Sequence, residues 1–145
     1  MKGLVQRVKS ASVSINEETV ACIGAGILLL LGVEKDDSEL QIQKMASKVF
    51  NLRIFADTDG KMNNTILDMN GELLVVSQFT LVADTTKGNR PGFSKGATPA
   101  HGEFIYNSFI KHVSAEFSDC QSGVFGADMA VTLVNDGPAT FWIET

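Results

Sequence analysis

Two uninterrupted apolar runs of strand length constrain the fold of this chain more than any other feature. They cover residues 27–33 and 73–76, and the turn pair Asn70-Gly71 precedes the second run. A strand with apolar side chains on both faces is typical of a sheet that other layers cover on both sides. We therefore expect both runs to be strands that are buried on both faces.

Two further segments have the residue spacing of helices. Apolar residues recur three and four apart over residues 39–52, and residues 36–38 are candidate N-caps for that helix. Thr98 and Pro99 are the expected N-cap and first residue of a second helix, which ends near residue 117. The predicted strands cover residues 2–15, 19–23, 27–33, 53–56, 72–79 and 140–143.

The length of the chain and its composition are typical of a single domain. It has 145 residues, of which 44% are apolar, and it contains no internal repeat, linker or low-complexity segment. A chain of this size buries a hydrophobic core without needing disulfides or metals. We predict one α/β domain over residues 1–145, in which two helices cover a mainly β core.

The charge of the chain restricts the partners that it can take. Its 12 Lys and Arg residues against 17 Asp and Glu give a net charge of −5, which argues against a protein that holds DNA or long stretches of RNA. No apolar stretch approaches the roughly 20 residues that span a bilayer, so we expect no membrane association. The N-terminal residues alternate like a strand and do not resemble a secretion signal, which favours a cytoplasmic protein.

Several common catalytic and cofactor motifs are missing from the sequence. It has no glycine-rich phosphate loop before a helix, no metal-binding histidine motif and no nucleophile elbow, so we expect neither a metal nor another cofactor. His101 and His112 fall in the second predicted helix, where packing and surface roles are the commoner ones. Cys22 and Cys120 lack the spacing of a metal site and are predicted to be reduced thiols in the core.

The first candidate site is the segment Ser77-Gln78-Phe79-Thr80, which follows the second apolar run. A buried strand that ends in polar side chains can present them to a ligand. Hydroxyl and amide groups at a strand end also commonly satisfy the backbone of the loop that follows. The residues alone leave both interpretations equally open.

The second candidate is the Gly137-Pro138 pair within residues 135–141. Composition favours an ordinary hairpin turn at this place. A cis peptide bond, which occurs in about 5–6% of X-Pro bonds in folded proteins, would instead aim two successive carbonyls in the same direction. Such a backbone edge can exclude a substituent of a ligand without using any side chain.

The third candidate is the loop at residues 87–96, where Lys87, Arg90 and Lys95 surround Phe93. Cations interleaved with an aromatic ring can hold a phosphate backbone. A solvated flexible loop is the commoner explanation of such a composition.

Together these segments resemble the D-aminoacyl-tRNA deacylase family of the bacterial type. The resemblance extends from residue 1 to residue 145. It is carried by Leu4-Val5-Gln6-Arg7-Val8, Ser77-Gln78-Phe79-Thr80-Leu81, Arg90-Pro91-x-Phe93 and Asn135-x-Gly137-Pro138-x-Thr140-Phe141. Gly92 departs from the family pattern, in which Ser is commoner, and this departure affects only the loop.

The resemblance implies an α/β/β layered fold and an enzyme that hydrolyses the ester between a D-amino acid, or glycine, and the 3′-terminal adenosine of tRNA. L-Aminoacyl-tRNA is spared. Members are homodimers, and the resemblance implies that Gly137-Pro138, joined by a cis bond, reaches from one subunit into the site of the other and excludes L side chains. Arg7 is implied to brace this pair across the interface.

The resemblance also implies roles for the other two candidate sites. Ser77, Gln78, Phe79 and Thr80 would line the pocket for the terminal adenosine and the aminoacyl group, and Lys87, Arg90 and Lys95 are candidate tRNA contacts. The acidic balance of the chain is compatible with an enzyme that takes only the aminoacylated 3′ end.

Two mechanisms and two rival functions stay open at this point. Thr80 could attack the ester directly, or the 2′-OH of the tRNA could assist a bound water while backbone N–H groups near Phe79 and Thr80 stabilise the oxyanion. The rivals are a dimeric module that binds its ligand without turnover, and a hydrolase of free esters or peptides that uses Thr80 or Ser77.

Overall fold

The chain folds into eight strands and two α-helices, and the computed structural model describes all of it, residues 1–145. Six of the strands form one sheet and the other two form a small ladder. In chain order the elements are β1 (Lys2–Ile15), β2 (Glu18–Ile23), β3 (Gly26–Gly32), α1 (Glu39–Asn51), β4 (Phe55–Ala56), β5 (Met62–Asn64), β6 (Glu72–Ser77), α2 (Pro99–Glu116), β7 (Cys120–Ser122) and β8 (Ala130–Glu144). A 3-10 helix (Phe79–Val82) follows β6.

Strand β1 organises the large sheet because it pairs with three other strands. Its first half is antiparallel to β3 and its second half is antiparallel to β2, whereas β8 pairs with it along nearly its whole length. On the other side of β3 lies β6, in parallel, and β7 is in turn parallel to β6. Both apolar runs are therefore interior strands of the sheet.

Different layers cover the two faces of these interior strands. On one face, Ile27, Leu29 and Leu31 of β3 belong to a cluster with the buried side chains of α1 and α2. On the other face, Leu28 and Leu74 pack against the buried side chains of β1 and β2. The molecule is thus an α/β/β layered protein, as the family resemblance implies. No helix is long and apolar enough to cross a membrane.

Both predicted helices are present and begin where the sequence predicts. Ser38 is the N-cap of α1, and its backbone N–H and hydroxyl donate to Gln41 Oε1 at 3.0 and 2.8 Å. Asp37, another residue of the candidate N-cap segment, has a different role. It is buried, and its carboxylate accepts from the Met1 ammonium at 2.6 Å and from the Glu34 N–H at 2.7 Å.

The predicted strands at 53–56 and 72–79 are both too long. The first begins at Phe55, and the second ends at Ser77 because the chain turns into the 3-10 helix. Strands β5 and β7 were not predicted, since three residues are too few to show a periodicity.

Composition favoured a hairpin turn at Gly137-Pro138, and this prediction is wrong. Residues on both sides of it pair with β1 and not with each other, since Asn135 lies opposite Val8 and Thr140 lies opposite Gln6. Residues 136–139 are therefore an excursion from a single strand, which we call the β8 excursion.

The cysteines are both free, and the prediction that both lie in the core is wrong for Cys22. Ala21 and Ile23 point into the core, and the two-residue period of a strand leaves Cys22 on the outer face of β2. Cys120 is half-buried, and burial raises the pKa of its thiol.

Two phenylalanines on α2 offer a test of this packing. Phe109 is 0% exposed in the layer between α2 and the sheet, whereas Phe104 is 67% exposed on the same helix. We expect Phe109→Ala to lower the free energy of unfolding by about 3–5 kcal/mol, because it leaves a cavity in the core. The matched Phe104→Ala should cost about 0.5 kcal/mol or less. Urea denaturation followed by circular dichroism measures both, and equal losses would contradict the layering.

Candidate active site

A cavity of about 480 Å³ opens where β6 ends. Its walls come from the ends of β3 and β6, the 3-10 helix, the first turn of α2 and the segment that leads into β8. The lining residues are Leu31, Val33, Val76, Ser77, Gln78, Phe79, Val82, Phe93, Gly96, Ala97, Thr98, Pro99, Gly102, Phe125, Gly126, Ala127, Met129 and Val131. None of these side chains is charged. Such a cavity suits a largely apolar ligand that a few polar groups orient.

The segment Ser77-Gln78-Phe79-Thr80 supplies the polar part of one wall. The backbone N–H of Gln78 donates to the Leu31 carbonyl at 2.8 Å, and the chain then leaves the sheet for the 3-10 helix. Ser77, Gln78 and Phe79 line the cavity, and Thr80 lies beside them without lining it. The Gln78 amide donates to Thr80 Oγ1. The hydroxyl of Thr80 is thus held by a donor that cannot accept its proton.

An aromatic pair forms part of the cavity wall. Phe79 and Phe93 are both exposed, at 65% and 44%, and their ring centroids are 5.2 Å apart. This contact links the 3-10 helix to the basic loop at residues 87–96. Exposed aromatic rings at the edge of an apolar cavity are suited to stacking on a flat ligand.

Backbone hydrogen bonds hold the basic loop at its middle and near its C-terminal end. Asp84 and Gly92 exchange a pair of them at 2.7 and 2.9 Å, and the Lys35 N–H donates to the Lys95 carbonyl at 3.1 Å. Hydrogen bonds from the Thr86 hydroxyl and N–H lower the pKa of the Asp84 carboxyl, which keeps it ionised. The three cations of the loop, Lys87, Arg90 and Lys95, are exposed and do not line the cavity.

Tyr106 lies behind the cavity wall and supports it. Its hydroxyl is buried within hydrogen-bonding distance of the carbonyls of Val75 and Gly123, at 2.9 and 3.1 Å, and its ring packs on Phe125. Burial raises the pKa of this hydroxyl, so Tyr106 stays neutral and acts as a donor. The predicted site did not include Tyr106.

The β8 excursion presents Gly137 and Pro138 to solvent. The peptide bond between them is cis. Neither residue lines the cavity of its own chain. The structure therefore does not bring this pair together with Ser77-Gln78-Phe79-Thr80 within one chain.

Arg7 holds the start of the β8 excursion within its own chain. Its Nε donates to the Asp136 carbonyl at 3.1 Å and lies 3.2 Å from the Asp136 carboxylate, while Nη1 donates to the Ile54 carbonyl. A Cβ on Gly137 would lie 2.6 Å from Arg7 Nη2, and Gly137 has a φ of +123°. Only glycine meets both constraints. The bracing of this pair across a subunit interface stays a prediction.

The sequence pointed to one wall of the cavity and missed the others. Met129, Phe125 and Thr98 also line the cavity. They come from segments that are distant along the chain from Ser77-Gln78-Phe79-Thr80. Met129, Val131 and Leu133 alternate along the sequence, but this alternation carries no signal of a cavity. Neither histidine lines it; His101 bonds the Asp37 carbonyl at 3.0 Å through Nε2.

The contact between Gly137 and Arg7 can be tested by substitution. Gly137→Ala should lower the free energy of unfolding by about 1–3 kcal/mol through backbone strain, and by a further amount because Arg7 must release its contacts. Gly60→Ala is the matched control, since Gly60 has a φ of +76° and nothing lies within 4 Å of its Cβ position. In an Arg7→Ala background, the cost of Gly137→Ala should fall towards that of Gly60→Ala, because only the backbone strain at Gly137 remains. If urea denaturation shows that the free-energy costs of Gly137→Ala and Arg7→Ala are strictly additive, this account is wrong.

Comparison with known proteins places the chain in a family. A family model described as D-Tyr-tRNA(Tyr) deacylase matches residues 4–144. A protein named D-aminoacyl-tRNA deacylase from Alteromonas mediterranea is 57% identical over 97% of each chain, and one of the same name from Escherichia coli O81 is 51% identical over 99% of each. The solved structure of a c-Myc DNA unwinding element binding protein has a TM-score of 0.96 at 39% identity, covering 100% of this chain and 99% of that one. The chain therefore belongs to the D-Tyr-tRNA(Tyr) deacylase family.

Proposed function

We propose that this protein is a D-aminoacyl-tRNA deacylase, which hydrolyses the ester bond of D-aminoacyl-tRNA and releases the free D-amino acid and the tRNA. The observation that carries the proposal is the position of Ser77-Gln78-Phe79 on the wall of an uncharged cavity. The names and the high identity of the curated relatives support it. The proposed deacylase domain is the whole chain, residues 1–145, and the proposed location is the cytoplasm.

The cavity would take only the aminoacylated 3′ end of the tRNA. Its volume of about 480 Å³ is within the range of small-ligand sites, and Phe79 and Phe93 offer rings on which the terminal adenine can stack. Lys87, Arg90 and Lys95 lie on the adjoining loop, where they could contact backbone phosphates. The net charge of −5 is compatible with a protein that contacts only this end of the RNA.

The surroundings of Thr80 favour hydrolysis assisted by the RNA. A hydroxyl nucleophile needs a neighbouring base, whereas Thr80 Oγ1 accepts from the Gln78 amide and no charged side chain lines the cavity. The ester of an amino acid is already an activated acyl group. We therefore assign the activation of water to the 2′-OH of the tRNA, and the stabilisation of the oxyanion to backbone N–H groups near Phe79 and Thr80.

Chirality would be selected by Gly137 and Pro138 of a second copy of the chain. Both residues are exposed, and neither lines the cavity of its own chain. Arg7 holds the β8 excursion, which carries them. A wall of main-chain atoms in the cavity would exclude an L side chain and admit a D one. Glycine has no side chain to exclude, so glycyl-tRNA, including glycine mischarged on tRNA-Ala, would also be hydrolysed.

A homodimer would bring the excursion of one subunit to the cavity of the other. Strand β8 pairs with β1 alone, so one of its edges has no strand partner. Val134 and Trp142 of this strand are 52% and 49% exposed. Apolar side chains along an open strand edge are suited to a protein interface.

The activity is tested with D- and L-aminoacyl forms of the same tRNA. We expect hydrolysis of the D form alone, with Thr80→Val retaining most of the rate and a tRNA that ends in 2′-deoxyadenosine losing about 100-fold or more. Release of free amino acid from radiolabelled substrate measures all of these rates.

Other outcomes of that experiment would contradict chiral selection, support binding without turnover, or identify Thr80 as the nucleophile. Equal release of D and L amino acids would contradict chiral selection, and release of neither would support a module that binds without turnover. Thr80→Val and Thr80→Ala proteins that bind substrate but do not hydrolyse it would establish Thr80 as the nucleophile.

The dimer is tested by sedimentation at micromolar concentration. We expect about twice the chain mass of 15.6 kDa. Val134→Lys should weaken the dimer, because it places a charge at the apolar edge of β8. Val20→Lys is the matched control, since Val20 is 45% exposed on β2 and lies outside the proposed interface. A monomer in the unsubstituted protein would remove the cross-subunit site.

A further inference from the structure

We propose that Asn135 is a positioning residue, which fixes the place of Gly137 and Pro138 and thereby the selection between D and L substrates. The proposal rests on the function proposed above. Asn135 lies at the base of the β8 excursion, opposite Val8 of β1, and its side chain turns back over the excursion.

The side-chain amide of Asn135 bonds both backbone groups of Ala139. The Ala139 N–H donates to Oδ1 at 2.8 Å, and Nδ2 donates to the Ala139 carbonyl at 3.2 Å. Two residues that face each other in an antiparallel ladder exchange the same pair of hydrogen bonds. The amide thus takes the place of a strand partner and closes residues 136–138 into a short loop.

The chemistry of this contact requires asparagine. Ala139 is only 5% exposed, so water cannot replace its two hydrogen bonds if the amide is removed. A carboxylate at the same place accepts but cannot donate, and an alanine does neither. Because an unpaired buried backbone group is costly, the excursion would have to rearrange to satisfy Ala139.

Asn135 and Arg7 hold opposite ends of the excursion. Arg7 bonds Asp136, the first residue, and Asn135 bonds Ala139, the last. Gly137 and Pro138 lie between these two anchors and carry no polar side chain that could fix them otherwise. Their position therefore depends on both anchors. The family resemblance implied a bracing role for Arg7 alone, across the subunit interface, and gave no role to Asn135.

Substitution of Asn135 should change selectivity more than stability. We expect Asn135→Ala to lower the ratio of kcat/KM for D- over L-aminoacyl-tRNA by about tenfold or more, since small displacements in a site have large kinetic effects. The amide of Ala139 should exchange with solvent about tenfold faster in this variant, as measured by NMR. The thermal midpoint should stay close to that of the control described below.

The matched control is Asn51→Ala at the end of α1. Asn51 Nδ2 also donates to a backbone carbonyl, that of Ser47 at 2.8 Å, but it lies far from the excursion in the sequence and on the helical layer. This control should keep the D over L ratio within about twofold of the unsubstituted protein.

Three outcomes overturn the proposal, and they are distinguishable. If the unsubstituted protein is selective and Asn135→Ala keeps that selectivity within about twofold, the positioning role is wrong and the proposed function stands. If the unsubstituted protein hydrolyses neither substrate, the proposed function fails and the role of Asn135 in selection fails with it. A loss of selectivity that Asn51→Ala reproduces would also overturn the proposal, because it would then reflect general destabilisation.

Discussion

The antiparallel pairing of β1 with β8 is the constraint on which the rest of the structure depends. It places β8 along the strand that also pairs with β2 and β3, and so ties the end of the fold to the interior of the sheet. Its register leaves Arg7 alone opposite the four residues of the β8 excursion, between the pairs Gln6–Thr140 and Val8–Asn135. The excess length cannot enter the ladder and must project from it.

The second determinant of the site is the point at which β6 stops. The apolar residues of β6 are covered on both faces. Ser77 and Gln78, which follow them, lie beyond the covered region and form part of the cavity wall. The same sheet thus supplies both parts of the candidate site, one at the end of an interior strand and one from an edge strand. The uncharged wall means that hydrogen bonds and shape, and not ion pairs, must orient a ligand there.

Much of the fold could be predicted because its elements have strong local patterns. The two apolar runs are long enough to be recognised as buried strands, and the spacing of residues 39–52 and the Thr98-Pro99 pair locate the helices. Strands β5 and β7 have no such pattern, and their pairing is decided by tertiary contacts.

The site was less predictable, for physical reasons. A hairpin and an excursion from one strand have the same turn residues and the same alternating flanks, so composition could not separate them near Gly137. The far wall of the cavity is made by Phe125 and Met129, which no local pattern connects with Ser77. The hydrogen bonds between Asn135 and Ala139 depend on side-chain geometry that sequence spacing does not specify.

The long ladder between β1 and β8 also bears on what local unfolding would do to the proposed site. These strands come from opposite ends of the chain, with every other element between them. A molecule in which β8 frays locally would keep β3, β6 and the 3-10 helix, and with them much of the cavity wall. It would lose the excursion that β8 carries. If Gly137 and Pro138 select the substrate as proposed, local fraying of β8 would remove that selection while much of the cavity wall remained in place.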